Sequence, residues 1–333
     1  MRVASNASEA WSVELPLIGP ANEPVDLKST FRSHGLTSLP PMRLDAYVND
    51  LGATSPMSPD TLEITLPVPG FRPRTVRISE SRPGRGIVSI VGPTPDHEES
   101  DELLAAVRRV LNLKEDLSPF YSLVDGDSEL SWVTRGAGCM VRGATVFKDV
   151  VKTLCTTNCS WSATTRMVGA LVEHLGEKAP GAPPTGPLGR AFPTPRAMAG
   201  AGEEFYRDLV RAGYRARYLL ALADLAADGD LNLESLDTSP QELPDNELER
   251  RLLALPGIGP YAAAHIMMLL GRYSRLVLDS WTRPKYARVS GEQVAGDEEI
   301  EARFLRYGPY RGLAFWLYLT RDRLEEPQTA ANP

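Results

Sequence analysis

The chain has 333 residues, of which 42% are hydrophobic and 24% charged, a composition typical of a globular protein with two or three domains. No apolar run approaches the ~20 residues of a membrane span, and residues 1–20 lack the pattern of a signal peptide, so we expect a cytoplasmic protein. The three cysteines, Cys139, Cys155 and Cys159, cannot form an even disulfide set and are too few for an iron–sulfur cluster or a persuasive zinc site.

The formal net charge of −7 argues against a polyanionic partner, but the charges are unevenly distributed. From Leu255 to Ser290 five basic residues stand against one acid, a local net of +4. From Phe205 to Tyr218 four arginines stand against one acid, a local net of +3. Basic runs are usually solvated faces, so these segments permit a nucleic-acid partner without showing one.

The first 130 residues predict an arm and a small domain. Residues 1–44 show no sustained period and predict a loose N-terminal arm. Residues 62–66, 75–79 and 87–91 alternate or are β-branched, and Pro and Gly separate them, which predicts a small antiparallel sheet. Residues 101–113 carry apolar positions at helical spacing. We therefore predict an α+β domain over residues 45–130.

The remainder of the chain predicts helices, so the fold class is mostly α. A proline-rich loop is expected over residues 178–195, a helical domain over 131–325 and a C-terminal tail over 326–333. The helical period occurs in seven segments, which are Val146–Thr157, Ala163–Leu175, Glu203–Ala212, Arg215–Ala227, Asn246–Leu255, Tyr261–Arg272 and Gly312–Arg321.

A glycine-rich turn, Pro256-Gly-Ile-Gly259, joins two of these helices. Gly257 and Gly259 permit positive φ in a tight hairpin, with Ile258 packed between the helices. The first N–H groups of the second helix have no intrahelical partner and lie at its positive end, which suits a phosphate. Two other interpretations are a hairpin that binds nothing and a dinucleotide-binding loop. No strand precedes the turn and position 262 is Ala, which disfavours the loop.

Asp279 follows Gly259 by twenty residues, at the end of a short apolar run and before a helical segment. An acid in that place is ordinarily an N-cap. The capping role is compatible with catalysis, because backbone N–H groups fix the carboxylate in one rotamer and keep it ionised.

The hairpin with its trailing Asp resembles the helix-hairpin-helix (HhH-GPD) DNA glycosylase superfamily, which includes endonuclease III, the bacterial alkyladenine glycosylase and 8-oxoguanine glycosylase. The resemblance extends from about Asp116 to Asp322. Further segments that carry it are Arg142–Phe147, Thr157–Cys159, Gly213–Tyr218 and Tyr307–Tyr310. The last three look closest to the 8-oxoguanine branch.

The resemblance implies a monomeric, nucleoid-associated enzyme that binds double-stranded DNA and flips the target nucleotide into a pocket. It implies that Asp279 is the catalytic carboxylate, which stabilises the positive charge that develops on the sugar. The site residues that it assigns around DNA are the hairpin backbone at Gly257, Ile258, Gly259 and Tyr261, the wedge Tyr214, the opposite-base contact Arg215 and the gap-filling Asn158. Without the resemblance, Tyr214 could equally be a core aromatic and Arg215 a solvated charge.

Departures from the family pattern narrow the chemistry. Tyr261 stands where bifunctional members carry a nucleophilic Lys, which implies a monofunctional enzyme that uses water. In the 8-oxoguanine branch an Arg helps to read the opposite cytosine, a Gln reads the edge of the damaged base and a Cys lies in the pocket. These positions are Ala163, Phe315 and His265 here, which puts 8-oxoguanine in doubt as the substrate.

The resemblance then implies an aromatic base pocket of Trp161, Tyr261, His265 and Phe315, suited to alkylated or oxidised purines. A lone His on an apolar helix face is nevertheless more often structural. The resemblance implies no required cofactor. It allows a monovalent cation to be held by backbone carbonyls of the hairpin. The alternatives are a catalytically inactive DNA-binding lesion sensor and a helical interaction module without DNA affinity.

Overall fold

The computed structural model describes residues 11–45, 60–291 and 296–325. Its N-terminal part holds a five-stranded antiparallel sheet in the order β1-β5-β4-β3-β2, so the first two strands occupy the two edges. The strands are β1 (Ser12–Pro16), β2 (Met42–Asp45), β3 (Thr61–Leu66), β4 (Arg74–Arg82) and β5 (Arg85–Val91).

The predicted antiparallel sheet is confirmed, and its alternating pattern explains the packing. Buried residues stand opposite one another in register, Ile64 against Val76 and Ile78 against Val88. Side chains alternate between the faces of a strand, so one face of the sheet is apolar. The amphipathic helix predicted over residues 101–113 is present as His97–Val110.

The expectation of a loose arm is wrong for residues 11–44. β1 pairs with β5 and β2 pairs with β3, so this segment supplies both edges of the sheet. Polar contacts hold the segment between β1 and β2 in place. The Glu23 carboxylate accepts hydrogen bonds from the backbone N–H groups of Ala21 and Leu117. Short edge strands are specified by their distant partners, which a local pattern does not reveal. Residues 1–10 of the predicted arm, 46–59 of the predicted domain and the predicted tail 326–333 lie outside the described residues.

The rest of the described chain is helical, and the mostly α fold class is confirmed. One predicted helix, 203–212, is instead a single turn followed by a π-helical turn at Phe205–Leu209. Arg211 follows it with φ of +56°, which is incompatible with a continued helix. The helices are α1 (Leu27–Phe31), α2 (His97–Val110), α3 (Ser118–Val124), α4 (Val146–Thr156), α5 (Trp161–Leu175), α6 (Pro195–Ala199), α7 (Gly202–Glu204), α8 (Ala216–Ala227), α9 (Asp245–Leu253), α10 (Pro260–Leu269), α11 (Thr282–Ser290), α12 (Asp297–Phe304) and α13 (Arg311–Glu325). Within the described ranges, none of these helices is long and apolar enough to cross a membrane.

Two hydrophobic cores organise the molecule. One is shared by the sheet, α2, α3 and the C-terminal elements α12 and α13. The other lies among the helices α4, α5, α8, α9 and α10. The N-terminal sheet and the C-terminal helix therefore pack in a single core, although the sequence separates them. The boundaries predicted at residues 130 and 325 remain predictions.

Candidate active site

A cavity of about 1010 Å³ is lined by elements of both cores. The helical core contributes the start of α10 and the end of α4. The core of the sheet contributes Trp281 and Trp316, and the segment 35–38 closes a further side. The volume is at the upper end of the range of roughly 300–1,000 Å³ common for small-molecule sites.

The hairpin between α9 and α10 forms one rim of this cavity. Gly257 has φ of +76°, and a Cβ there would lie 2.7 Å from Cδ2 of Tyr218, so the turn requires glycine. Gly259 has φ of −103° and faces open space, so the expectation of positive φ is wrong at this position. Ile258 is 6% exposed and packs in the helical core, as predicted for the residue between the helices.

The N-terminus of α10 has no side-chain cap. Gly259 is its N-cap residue, Pro260 is its first residue, and the helix is ten residues long. The N–H groups of Tyr261 and Ala262 precede the first i→i−4 bond, from Ala263 to the Gly259 carbonyl, and are directed along the helix axis. This end of the helix can bind an anion through its backbone.

Asp279 lines the same cavity and is half-buried. Its Oδ1 accepts hydrogen bonds from the backbone N–H groups of Trp281 (2.9 Å) and Thr282 (2.7 Å) at the start of α11. The Thr282 hydroxyl accepts a bond from the Asp279 N–H at 2.7 Å, which completes a reciprocal cap. Both hydrogen bonds that described residues make to the carboxylate fall on Oδ1. Oδ2 is therefore available to a bound molecule.

Aromatic rings form part of the cavity wall. Trp316 lies between its neighbours, with ring-centroid distances of 5.8 Å to Trp281 and 6.1 Å to His265. Its Nε1 donates to the Ser33 carbonyl at 2.6 Å, which fixes the ring. Trp161 is 46% exposed at the edge of the cavity.

The structure corrects the predicted pocket at one position. Phe315 is fully buried in the core of the sheet, 5.3 Å from the ring of Phe304, and does not line the cavity. Its neighbour Trp316 does. Successive residues on a helix point about 100° apart, so a shift of one residue exchanges a core position for a cavity position.

The predicted wedge residues come together at the mouth. Asn158 follows α4 with φ of +45°, a conformation that Asn tolerates better than most residues. Its Nδ2 donates to Oη of Tyr214 at 3.3 Å, and the Tyr214 side chain is 49% exposed. Both residues line the cavity.

Arg215 differs from its predicted role. It is only 6% exposed, and its guanidinium donates to the Thr157 hydroxyl at 3.2 Å, to the Thr157 carbonyl and to the Ala212 carbonyl at 3.3 Å. It also lies 4.5 Å from the centre of the Tyr214 ring. Arg215 therefore holds the loop at Thr157 and the Tyr214 ring in place, and its donors are not available to an opposite base in this form.

The basic segment around the hairpin is largely neutralised. Arg288 is exposed, but Arg272 and Lys285 are buried. Every basic residue of the segment except Arg288 forms an ion pair with an acid among the described residues. The pairs are Arg272–Asp245, Arg275–Glu249, Arg283–Asp297 and Lys285–Asp322. The local excess of positive charge counted from the sequence is therefore not a binding face.

Tyr261 lies one helical turn before His265 and lines the cavity with it. Burial, together with the nearby Asp279 charge, raises the pKa of Tyr261 to about 12, so the phenol is protonated at neutral pH. No lysine is among the residues that line the cavity in the described part of the chain. The described residues also include no group of three or more His, Cys, Asp or Glu able to hold a metal ion.

No family model matches the chain. Its fold is nevertheless similar to solved structures over almost the whole length. The 3-methyladenine DNA glycosylase from Archaeoglobus fulgidus has a TM-score of 0.67 and 20% identity, covering 94% of this chain and 98% of that one. A structure of MBOgg1 with a low-affinity DNA ligand has a TM-score of 0.67 and 18% identity, covering 94% and 96%.

The 8-oxoguanine glycosylase/lyase from Clostridium acetobutylicum, in its apo form, has a TM-score of 0.65 and 18% identity, covering 92% of this chain and 95% of that one. All three proteins are DNA glycosylases, and the similarity includes both the sheet and the helical body. The chain therefore shares its fold with these DNA glycosylases.

Proposed function

We propose that this protein is a monofunctional DNA glycosylase that hydrolyses the N-glycosidic bond of an alkylated purine. The observation that carries the proposal is the position of Asp279, a half-buried carboxylate with one oxygen held by two backbone N–H groups and the other available to the cavity. Glycosidic cleavage builds positive charge on the sugar, and a fixed anion stabilises that charge without reorganising.

The elements around Asp279 suit a flipped nucleotide. The uncapped N-terminus of α10 can bind a backbone phosphate, while Tyr214 and Asn158 lie at the mouth where a vacated base-pair gap would be filled. This backbone contact needs no basic side chain, which reconciles DNA binding with the net charge of −7 and the neutralised arginines. The related Clostridium acetobutylicum enzyme has been solved with double-stranded DNA, which supports the same partner here.

The aromatic wall supports the substrate class. Trp281, Trp316 and Tyr261 line the cavity. Stacking of a base on an aromatic ring contributes about 1–3 kcal/mol. An alkylated purine is electron-poor, and electron-rich rings favour it over an ordinary base. Water is the proposed nucleophile, since the phenol of Tyr261 cannot form a Schiff base.

The test replaces Asp279 by Asn in excision assays with duplexes that carry one alkylated purine. Asp279→Asn removes the negative charge while its Oδ1 can still accept the capping bonds, so the fold should persist. We expect base release to fall by at least about 100-fold, the scale of a lost electrostatic contact in a transition state, with DNA affinity changed only a few-fold. Excision at the wild-type rate by Asp279→Asn would refute the proposed function.

A further inference from the structure

His265 projects from α10 into the wall of the candidate active site and is 6% exposed. Burial lowers its pKa to about 4, so its imidazole is neutral at pH 7. A neutral imidazole has one N–H donor and one bare acceptor nitrogen. Which nitrogen is bare decides what His265 can recognise.

A chain of hydroxyl groups answers that question. Thr156 Oγ1 lies 2.7 Å from the Thr153 carbonyl, which can only accept, so this bond uses the one proton of the hydroxyl. Tyr261 Oη lies 3.1 Å from Thr156 Oγ1. Because Thr156 has no second proton, the phenol must donate to it. The proton of Tyr261 is then directed away from His265.

The remaining link fixes the tautomer. His265 Nδ1 lies 3.4 Å from Tyr261 Oη, whose proton is already used. The phenol oxygen can only accept here, so the imidazole donates from Nδ1–H. Nε2 is consequently the bare nitrogen, with its lone pair unused.

His34, the neighbouring histidine, cannot satisfy this lone pair. Its ring centroid is 6.2 Å from that of His265. Its Nε2–H donates to the Val141 carbonyl at 2.5 Å, and its Nδ1 accepts from the Leu36 N–H at 3.2 Å. Both nitrogens of His34 are therefore engaged. Nε2 of His265 is buried and has no hydrogen-bond partner among the described residues.

We propose that Nε2 of His265 accepts a hydrogen bond from the exocyclic amino group of the base held in the cavity, so that His265 selects amino-bearing purines. This inference rests on the proposed function. Nε2 is covered in the unbound protein, so the bond requires a local rearrangement of side chains around His265 when a base enters. Alkylation of a purine ring withdraws electron density and makes its amino group a stronger donor. The aromatic wall and Nε2 would then favour the same substrates.

The tautomer can be tested without any substrate. The full chain has four histidines, and ¹⁵N shifts of a histidine-labelled sample distinguish Nδ1–H from Nε2–H. We expect His265, assigned by the loss of its signals in His265→Phe, to be protonated at Nδ1, and His34 at Nε2 as an internal reference. Protonation of His265 at Nε2 would overturn the inference. Tyr261→Phe should remove the constraint and give a mixture of tautomers.

Specificity is tested with duplexes that differ by one amino group. One pair is N7-methylated adenine and N7-methylated purine; the other is N7-methylated guanine and N7-methylated hypoxanthine. For at least one pair, the wild type should favour the amino-bearing base, and His265→Phe should reduce the ratio of the two kcat/KM values about tenfold, the scale of one hydrogen bond. His97→Phe, at a side chain that is 93% exposed, is the matched control and should leave the ratios unchanged.

The outcomes separate the two proposals. Excision with ratios that His265→Phe does not alter, or a wild-type preference for the bases without the amino group, overturns the role of His265 and leaves the proposed function standing. Absence of excision from all four duplexes overturns both, although the tautomer is still measured.

Discussion

Adding a side chain at each of the two hairpin glycines should affect the stability of the protein differently. At Gly257 an alanine must adopt φ of +76°, which costs about 1–2 kcal/mol for an L-residue. Its Cβ would also lie 2.7 Å from Cδ2 of Tyr218 and 3.0 Å from Cδ1 of Leu154, and such overpacking costs about 1–3 kcal/mol. We therefore expect Gly257→Ala to lower the free energy of unfolding by about 2–5 kcal/mol.

Gly259 offers the matched comparison in the same turn. Its φ is −103° and a Cβ would meet no atom within 4 Å, so Gly259→Ala should cost about 0.5 kcal/mol or less. With a urea m-value of about 3 kcal/mol/M, Gly257→Ala should lower the urea midpoint by roughly 1 M and Gly259→Ala by little. Far-UV circular dichroism during urea titration measures both.

DNA affinity should depend on Gly259, the glycine whose replacement by Ala should hardly change stability. The open space in front of Gly259 is where a phosphate would approach α10, so Gly259→Val should weaken binding to damaged and undamaged duplex alike while the protein stays folded. The reasoning about the turn is refuted if the two alanine variants have equal urea midpoints. The assignment of the helix end to DNA is refuted if Gly259→Val binds both duplexes as the wild type does.

Two further predictions concern amines and acids. Borohydride should trap little protein on DNA during excision, and strands should break only after alkali or an abasic endonuclease. Strong trapping would contradict a mechanism in which water is the nucleophile. Lys152→Met and Lys285→Ala would then show whether a buried amine is responsible. Lys152 is included because burial lowers its pKa well below the usual value. Burial also raises the pKa of Glu115 from 4.5 to about 7, so the folded state favours the protonated, neutral form. The free energy of unfolding should therefore fall as the pH rises through about 7. Glu115→Gln should remove this loss of stability, which is worth about 3 kcal/mol at most. If the free energy of unfolding has the same slope between about pH 5 and 8 in the wild type and in Glu115→Gln, the prediction is contradicted.

Local chemistry made much of the site predictable. The positive φ of Gly257 and the cap made by Asp279 depend on residues close in sequence or on a motif of fixed spacing. The helices of the body were predictable for the same reason, since their apolar period is a local property.

The features that sequence reasoning missed depend on distant partners. Whether Phe315 or Trp316 faces the cavity is set by packing, because α13 is buried on several sides and its period does not distinguish them. Arg215 reads as a free cation until its contacts with Thr157, 58 positions away, are known. Trp281 follows Asp279 closely, yet only the approach of α13 makes it a cavity wall.

The core shared by the sheet and α13 has a consequence for how the cavity assembles. The bond from Trp316 to Ser33 joins residues 283 positions apart, and contacts of that separation form late because a long loop must close first. The hairpin and Asp279 lie in a more local part of the chain and can be ordered earlier. We therefore expect the Trp316 side of the cavity to be ordered last, so that a partly folded chain would hold its carboxylate before Trp316 completes the aromatic wall.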